Sequence, residues 1–160
     1  MSSRGHGFTL LELAIVIAIL AVLMAITAPR LLRARMQANE SKAISALRTI
    51  ATAQTLFRTA RIVDDDEDGV GDYGTLGQLV NPGGGIGPFI DTRLGSGASR
   101  GYLITVDVTL GNADTPAAFT ANADPRVAGK TGVRRFFVDE TSVVRYTSNG
   151  SAADAGSPPV

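Results

Sequence analysis

A long apolar segment near the N-terminus limits the folds open to this chain. It extends over residues 8–28, and Glu12 is the only charged residue among its 21 positions. An α-helix of that length measures about 30 Å, which matches the hydrocarbon core of a bilayer. A cleaved secretory signal has a shorter apolar region and ends in an A-x-A-like site, which residues 25–28 match poorly. The segment therefore predicts a helix that spans a membrane or packs against other apolar helices.

Glu12 distinguishes this segment from an ordinary membrane anchor. A carboxylate within a membrane helix costs a few kcal/mol, so its presence indicates a functional role. The alternative is that Glu12, which lies near the end of the segment, extends its side chain to the membrane surface. A plain anchor has no use for this residue.

The residues around Glu12 match a processing signal. Residues 4–12 read RGHGFTLLE, in which a short polar leader ends at Gly7, Phe8 follows, and Glu12 is the fifth residue after the glycine. This stretch closely resembles the type IV prepilin cleavage signal, and the resemblance to type IV pilins extends over residues 4–61. It implies a leader of residues 1–7, cleavage between Gly7 and Phe8 by a prepilin peptidase, and N-methylation of the new Phe8 amine.

Cleavage would also give the Glu12 carboxylate a partner. The Phe8 amine becomes a cation at the start of an apolar helix, where Glu12 of a neighbouring subunit can meet it. A buried carboxylate without such a partner would be expensive. We therefore expect Phe8 and Glu12 to set the register between subunits in a helix-cored filament.

A second helical pattern follows Pro29. Pro29 removes a backbone donor and predicts a helix kink, at a position where many pilins have a kinking proline. Beyond it, one face repeats at spacings of three and four residues. That face comprises Ala43, Leu47, Ile50, Gln54 and Phe57, with Ile44 and Ala51 beside it. We expect one helix over residues 8–61, with a transmembrane or filament-core part (8–28) and an amphipathic part that packs on a globular head.

An acidic loop follows this helix and resembles part of a calcium site. Residues 64–72, here called the acidic loop, contain six acidic residues in nine positions. The spacing matches the first half of an EF-hand-like loop, but Thr75 lies where a bidentate glutamate is normally required. The predicted Ca²⁺ ligands are Asp64, Asp66, Asp68, the Val70 carbonyl and Asp72. The alternative is a solvated acidic turn that ends the helix.

The rest of the chain predicts a small β-sheet. Runs at 102–108 and 117–121 are typical of strands, and runs at 134–139 and 142–146 predict a hairpin. Glycine-rich loops dominate residues 81–101. The expected fold class is α+β, a long N-terminal helix packed on a small antiparallel sheet in a head of residues 62–147. Residues 148–160 are rich in Ser, Ala, Gly and Pro and predict a flexible tail.

Composition argues against an enzyme and against a nucleic-acid contact. The chain has no cysteine, and its single histidine, His6, lies in the predicted leader. A mature protein would then lack a Ser-His or Cys-His pair. No basic patch is interleaved with aromatic residues. Residues 8–61 carry seven basic and two acidic residues, whereas residues 62–160 carry seven and thirteen. This asymmetry either helps subunits to pack or reflects ordinary solvated surfaces.

Three functions remain open. The resemblance implies a structural subunit of a type IV pilus-like filament, serving adhesion, twitching motility or DNA uptake. Its partners would be identical or related pilins, a prepilin peptidase/methyltransferase and an inner-membrane assembly platform. It would lie in the bacterial inner membrane before assembly, and in a cell-surface or periplasm-spanning filament afterwards. The alternatives are a pseudopilin of a type II secretion system and a membrane-anchored calcium-binding module.

Overall fold

The computed structural model describes residues 8–65, 67–112 and 115–160. They form two compact units, which divide between Arg35 and Met36. The elements, in chain order, are α1 (Leu10–Thr59), α2 (Leu76–Val80), α3 (Thr92–Gly95), β1 (Ala98–Ser99), β2 (Tyr102–Thr109), β3 (Ala118–Pro125), β4 (Arg135–Asp139) and β5 (Arg145–Thr147). A long N-terminal helix and a small antiparallel sheet confirm the expected α+β class.

In the described part of the first unit, α1 exposes apolar side chains on all sides. Leu10 is 88% exposed and Met24 67%, and the residues between them are exposed as well. The helix is long and apolar enough to cross a membrane. Pro29 lies inside α1, which continues through it without a break. The kink expected at Pro29 stays a prediction.

The end of α1 lies close to its predicted position. The helix ends at Thr59, two residues before the predicted end at Arg61. Arg61 adopts φ 49°, a left-handed conformation typical of the residue that follows a helix. The chain then returns beside the helix at Gly71, where a Cβ atom would lie 2.3 Å from the Arg58 carbonyl oxygen. Only glycine permits this close approach.

The second unit contains one sheet in which all strands are antiparallel to their neighbours. The strand order is β1-β2-β3-β4-β5, the order along the chain. β2 and β3 pair over eight residues, and β4 and β5 form the expected hairpin. The strand predictions at 102–108 and 117–121 are therefore confirmed. The two-residue β1 and the short helices α2 and α3 were not predicted, because each is too short to show a periodic pattern.

The core of the second unit forms between the sheet and the C-terminal part of α1. The predicted helix face is buried, including the polar Gln54. Its amide exchanges two hydrogen bonds with the Gly74 backbone, at 2.6 and 2.9 Å. A fully buried Leu, Ile or Phe side chain contributes about 1.5–3 kcal/mol. The sheet supplies the opposite side of the core with Tyr102, Ile104, Phe119, Ala121, Ala123, Phe136 and Val138.

The C-terminal residues differ from the expected flexible tail. The Tyr146 N–H donates to the Pro158 carbonyl and the Val160 N–H donates to the Val144 carbonyl, both at 2.9 Å. Arg145 and Pro159 form an antiparallel bridge. The final residues thus satisfy backbone groups at the edge strand β5, which would otherwise be left unpaired. Composition alone did not reveal this pairing, because backbone groups make it.

Candidate functional site

The start of α1 carries a reciprocal set of hydrogen bonds between Thr9 and Glu12. Glu12 Oε2 accepts from the Thr9 backbone N–H at 2.9 Å and from the Thr9 hydroxyl at 3.0 Å. The Glu12 N–H donates to Thr9 Oγ1 at 3.1 Å. This is a capping box, which satisfies backbone donors that the first helical turn leaves free. Phe8, directly before it, is 79% exposed.

Thr9 is the capping partner of Glu12, and no role was predicted for it from the sequence. The signal was present, because Thr9 and Glu12 have the T-x-x-E spacing of a capping box before an apolar run. The box gives Glu12 a role within its own chain, since it fixes where the helix begins. Gly7, the predicted residue before the cut, lies outside the described residues. The predicted roles of Gly7, Phe8, Glu12 and Pro29 in processing and assembly stay predictions.

The acidic loop is held in place by Asp72. This side chain is 2% exposed. Its Oδ2 accepts from the Asp65 N–H at 3.0 Å, and its Oδ1 accepts from the Gly111 N–H at 2.8 Å. The carboxylate therefore joins the acidic loop to the connection between β2 and β3. Its two oxygens already serve as acceptors for backbone donors.

The other predicted calcium ligands are only partly brought together. Asp64 Oδ2 accepts from the Gly69 N–H at 3.2 Å, and Asp68 Oδ1 accepts from the Val70 N–H at 2.6 Å. Asp66 lies outside the described residues. Among the residues that are described, no three His, Cys, Asp or Glu side chains form a group suited to a metal ion. The calcium site stays a prediction.

Thr75, the twelfth position of the loop pattern, has a different role. It is the N-cap of α2, and its hydroxyl accepts from the Gln78 N–H while the Gln78 side chain accepts from the Thr75 N–H. A second capping box thus begins the short helix after the acidic loop. Such a position supplies no bidentate carboxylate of the kind that closes an EF-hand loop.

Comparison with known proteins places the N-terminal signal in a described family. A family model described as the prokaryotic N-terminal methylation motif matches residues 2–28. The type IV major pilin protein PilA of Myxococcus xanthus is 41% identical over 54 residues, which are 34% of this chain and 24% of that protein. The type IV wide pilus major component of Thermus thermophilus is 44% identical over 55 residues, 34% of this chain and 42% of that protein.

These matches cover less than half of either relative. No solved structure matches the chain. A methylation motif, a helix long and apolar enough to cross a membrane, and a small antiparallel sheet together define an α+β protein with a pilin-like N-terminal segment. The methylation motif and these two relatives show that the N-terminal third of the chain is similar to type IV pilins.

Proposed function

We propose that this protein is a structural subunit of a type IV pilus-like filament, assembled through its N-terminal helix. The observation that carries the proposal is the exposed apolar part of α1, which lies within the residues that match the methylation motif. An apolar surface of this length needs lipid or identical helices to cover it. The similarity to two major pilus components favours identical helices, rather than lipid alone, as the partner of this surface.

Processing would come first. A prepilin peptidase cuts between Gly7 and Phe8, and methylation of the new Phe8 amine follows. Before assembly the apolar part of α1 spans the inner membrane once, as its length and composition allow. An inner-membrane assembly platform then transfers the subunit from lipid into the growing filament.

Glu12 would act in the transfer step. Within the described residues its hydrogen bonds to Thr9 both use Oε2. A carboxylate accepts several hydrogen bonds, so Oε1 remains available to a cation. The Phe8 ammonium of a neighbouring subunit supplies that cation without breaking the capping box. The ion pair fixes the register of the incoming helix, because an unpaired buried carboxylate is strongly destabilising.

The main alternative is a pseudopilin of a type II secretion system, which would use the same processing and the same helix in a short periplasmic filament. The pilin relatives favour the pilus, since both are described as major pilus components. We propose no catalytic function for the protein. Adhesion, twitching motility and DNA uptake are the roles to examine once the filament is identified.

The test is to isolate the filament itself. Filaments sheared from cells are analysed by electron microscopy, and their protein by mass spectrometry. We expect this chain as the most abundant component, beginning at a methylated Phe8. Absence of surface filaments, together with loss of protein secretion when the gene is deleted, would assign the chain to a secretion system instead. The neighbouring genes provide a first check, because each machinery is encoded with its own ATPase and outer-membrane pore.

A further inference from the structure

A groove on the second unit carries an excess of positive charge. It lies between α1 and the segment that contains α3 and β1, and has a volume of about 490 Å³. Its cations are Lys42 from α1, Arg93 from α3, and Arg100 directly after β1. The hydroxyls of Ser45 and Thr49 lie on the same helix face as Lys42. We call this surface the basic groove.

The cations of the basic groove are exposed to solvent. Lys42, Arg93 and Arg100 are all exposed, and none forms a salt bridge within the described part of the chain. Asp91 is the one acidic residue among the described residues that line the groove, and its Oδ1 accepts from the Leu94 N–H as the cap of α3. Three cations and one carboxylate give a net charge of +2 (3 − 1). Such an arrangement fits an acidic ligand.

The acidic loop presents the complementary charge. Asp65, Glu67 and Asp68 are exposed, whereas Asp72 is buried and holds the loop to the β2–β3 connection. The loop follows the C-terminal end of α1 at Thr59, and the groove begins at Lys42. The α1 residues that line the groove, Lys42 to Thr49, lie 10 to 17 residues before the end of the helix, which corresponds to about 15–25 Å, and none of the described residues of the acidic loop lines the groove of its own chain.

We infer that the acidic loop of one subunit docks in the basic groove of a second copy of this chain. The inference rests on the proposed function, because a filament of parallel subunits supplies the second copy. Subunits aligned at the same height would place groove beside groove. A relative shift of about 15–25 Å along α1 brings the loop to the groove. The contact therefore sets an axial offset between subunits, in addition to the register set by Phe8 and Glu12.

A second copy fits the groove better than a nucleic acid does. Among the residues that the structure describes, no aromatic side chain lines the groove, so these residues offer no surface on which a base can stack. Residues 62–160 carry seven basic and thirteen acidic residues, and six of the acids lie in the acidic loop, so the second unit has no basic surface extended enough to follow a polyanion. A neighbouring subunit brings a short, local acidic segment and avoids that repulsion.

Crosslinking in assembled filaments tests the contact directly. The chain has no cysteine, so introduced cysteines react without background. Full-length Arg100→Cys/Glu67→Cys is expressed as the sole copy, and sheared filaments are treated with a bismaleimide reagent. We expect a ladder of dimers and larger oligomers in denaturing gels. The matched control Lys130→Cys/Glu67→Cys places one cysteine at an exposed cation between β3 and β4, and should stay monomeric.

Charge reversal provides a second measurement. Lys42→Glu/Arg100→Glu should lower the amount of sheared filament at least about fivefold, because repulsion replaces attraction at every repeat of the contact. Asp65→Lys/Glu67→Lys should do the same, and all four changes together should restore filaments to within about twofold of wild type. Control reversals at Arg126 and Lys130, both exposed, should have little effect.

The outcomes separate the two proposals. The groove contact is overturned if the Arg100→Cys/Glu67→Cys variant forms filaments in normal amounts but gives no ladder. It is also overturned if combining the charge reversals does not restore filaments. Either result leaves the filament function intact. Groove variants that assemble normally but lose DNA binding overturn it as well, and assign the groove to nucleic acid. Absence of any filament in wild-type cells removes the proposed function and the contact together.

Discussion

The Glu40 carboxylate accepts hydrogen bonds from both the backbone and the side chain of Arg134. Glu40 Oε1 accepts from the Arg134 N–H at 3.2 Å and from the Val133 N–H at 2.9 Å, and Oε2 accepts from Arg134 Nε at 2.8 Å. The Glu40 side chain is 8% exposed. A residue of α1 is thus joined to the segment that leads into β4, 94 positions later in the chain. The arginine also lies over the rings of Phe136 and Tyr146.

Removal of the Glu40 carboxylate should destabilise the second unit. We expect Glu40→Ala to lower the free energy of unfolding by about 2–4 kcal/mol, because three donors lose their acceptor and one is a charged group. The matched control is Asp124→Ala, which breaks the more exposed 3.5 Å pair with Arg135. That pair should contribute less than about 1 kcal/mol. Denaturant unfolding of the full chain in detergent can be followed by near-ultraviolet circular dichroism of the tyrosines, and equal losses in both variants would contradict the prediction.

The same carboxyl should make stability depend on pH. Burial raises the pKa of Glu40, but the hydrogen bonds from Val133 and Arg134 and the charge of Arg134 lower it by more, so that the pKa lies below its ordinary value of 4.5. A carboxyl with a lowered folded-state pKa stabilises the fold above its unfolded pKa, and this stabilisation is lost as the pH falls through the folded pKa. We expect the melting temperature to decrease below about pH 4.5, less steeply in Glu40→Gln. Parallel pH profiles for the two proteins would exclude Glu40 as the cause.

The local features of this fold could be predicted from the sequence, and those that join distant segments could not. The spacing of Leu47, Ile50 and Phe57 identified the buried face of α1, because helix periodicity is a local property. The contact of Glu40 with Arg134 depends on how the chain folds back, which no local pattern contains. The hydrogen bond between the Val160 N–H and the Val144 carbonyl could not be predicted either, because two backbone groups form it and side-chain identity does not reveal it.

The candidate site shows the same division. The methylation motif could be recognised in residues 4–12. The capping box between Thr9 and Glu12 could also be recognised from its spacing, but it was missed. The contact by which Asp72 joins the acidic loop to the β2–β3 connection could not be predicted from the sequence, because its partner Gly111 lies 39 residues away. The loop pattern predicts a metal ligand, which stays a prediction, and the structure adds that the Asp72 carboxylate accepts from two backbone donors.

Processing should require Gly7. A prepilin peptidase site has a small residue before the cut, so we expect Gly7→Val to leave the precursor uncut. Mass spectrometry of envelope protein should then show the intact leader. The control is His6→Ala, which changes the leader beside the cut and should be processed normally. A mature protein that begins at Phe8 in Gly7→Val would refute the cleavage assignment.

Assembly should require the charge of Glu12. Glu12→Val makes the helix more apolar, so membrane insertion should persist or improve, while sheared filaments should fall at least about tenfold. Valine also removes the capping box, which makes Glu12→Gln the informative control. Glutamine keeps a capping-box acceptor but carries no charge. If Glu12→Gln assembles filaments at wild-type levels, the box alone is sufficient and the ion pair with Phe8 is wrong.

The acidic loop should bind calcium weakly if the predicted ligands are real. With a dissociation constant of about 10⁻⁴–10⁻³ M, 1 mM calcium would stabilise the fold by about 0.4–1.4 kcal/mol and raise the melting temperature by a few degrees. Asp66→Ala and Asp68→Ala should abolish this rise. Asp72→Ala should lower the melting temperature even without calcium, because the Asp65 and Gly111 N–H groups lose their acceptor. A melting temperature unchanged by calcium, with no heat on titration, would leave a solvated acidic loop whose order depends on Asp72 alone.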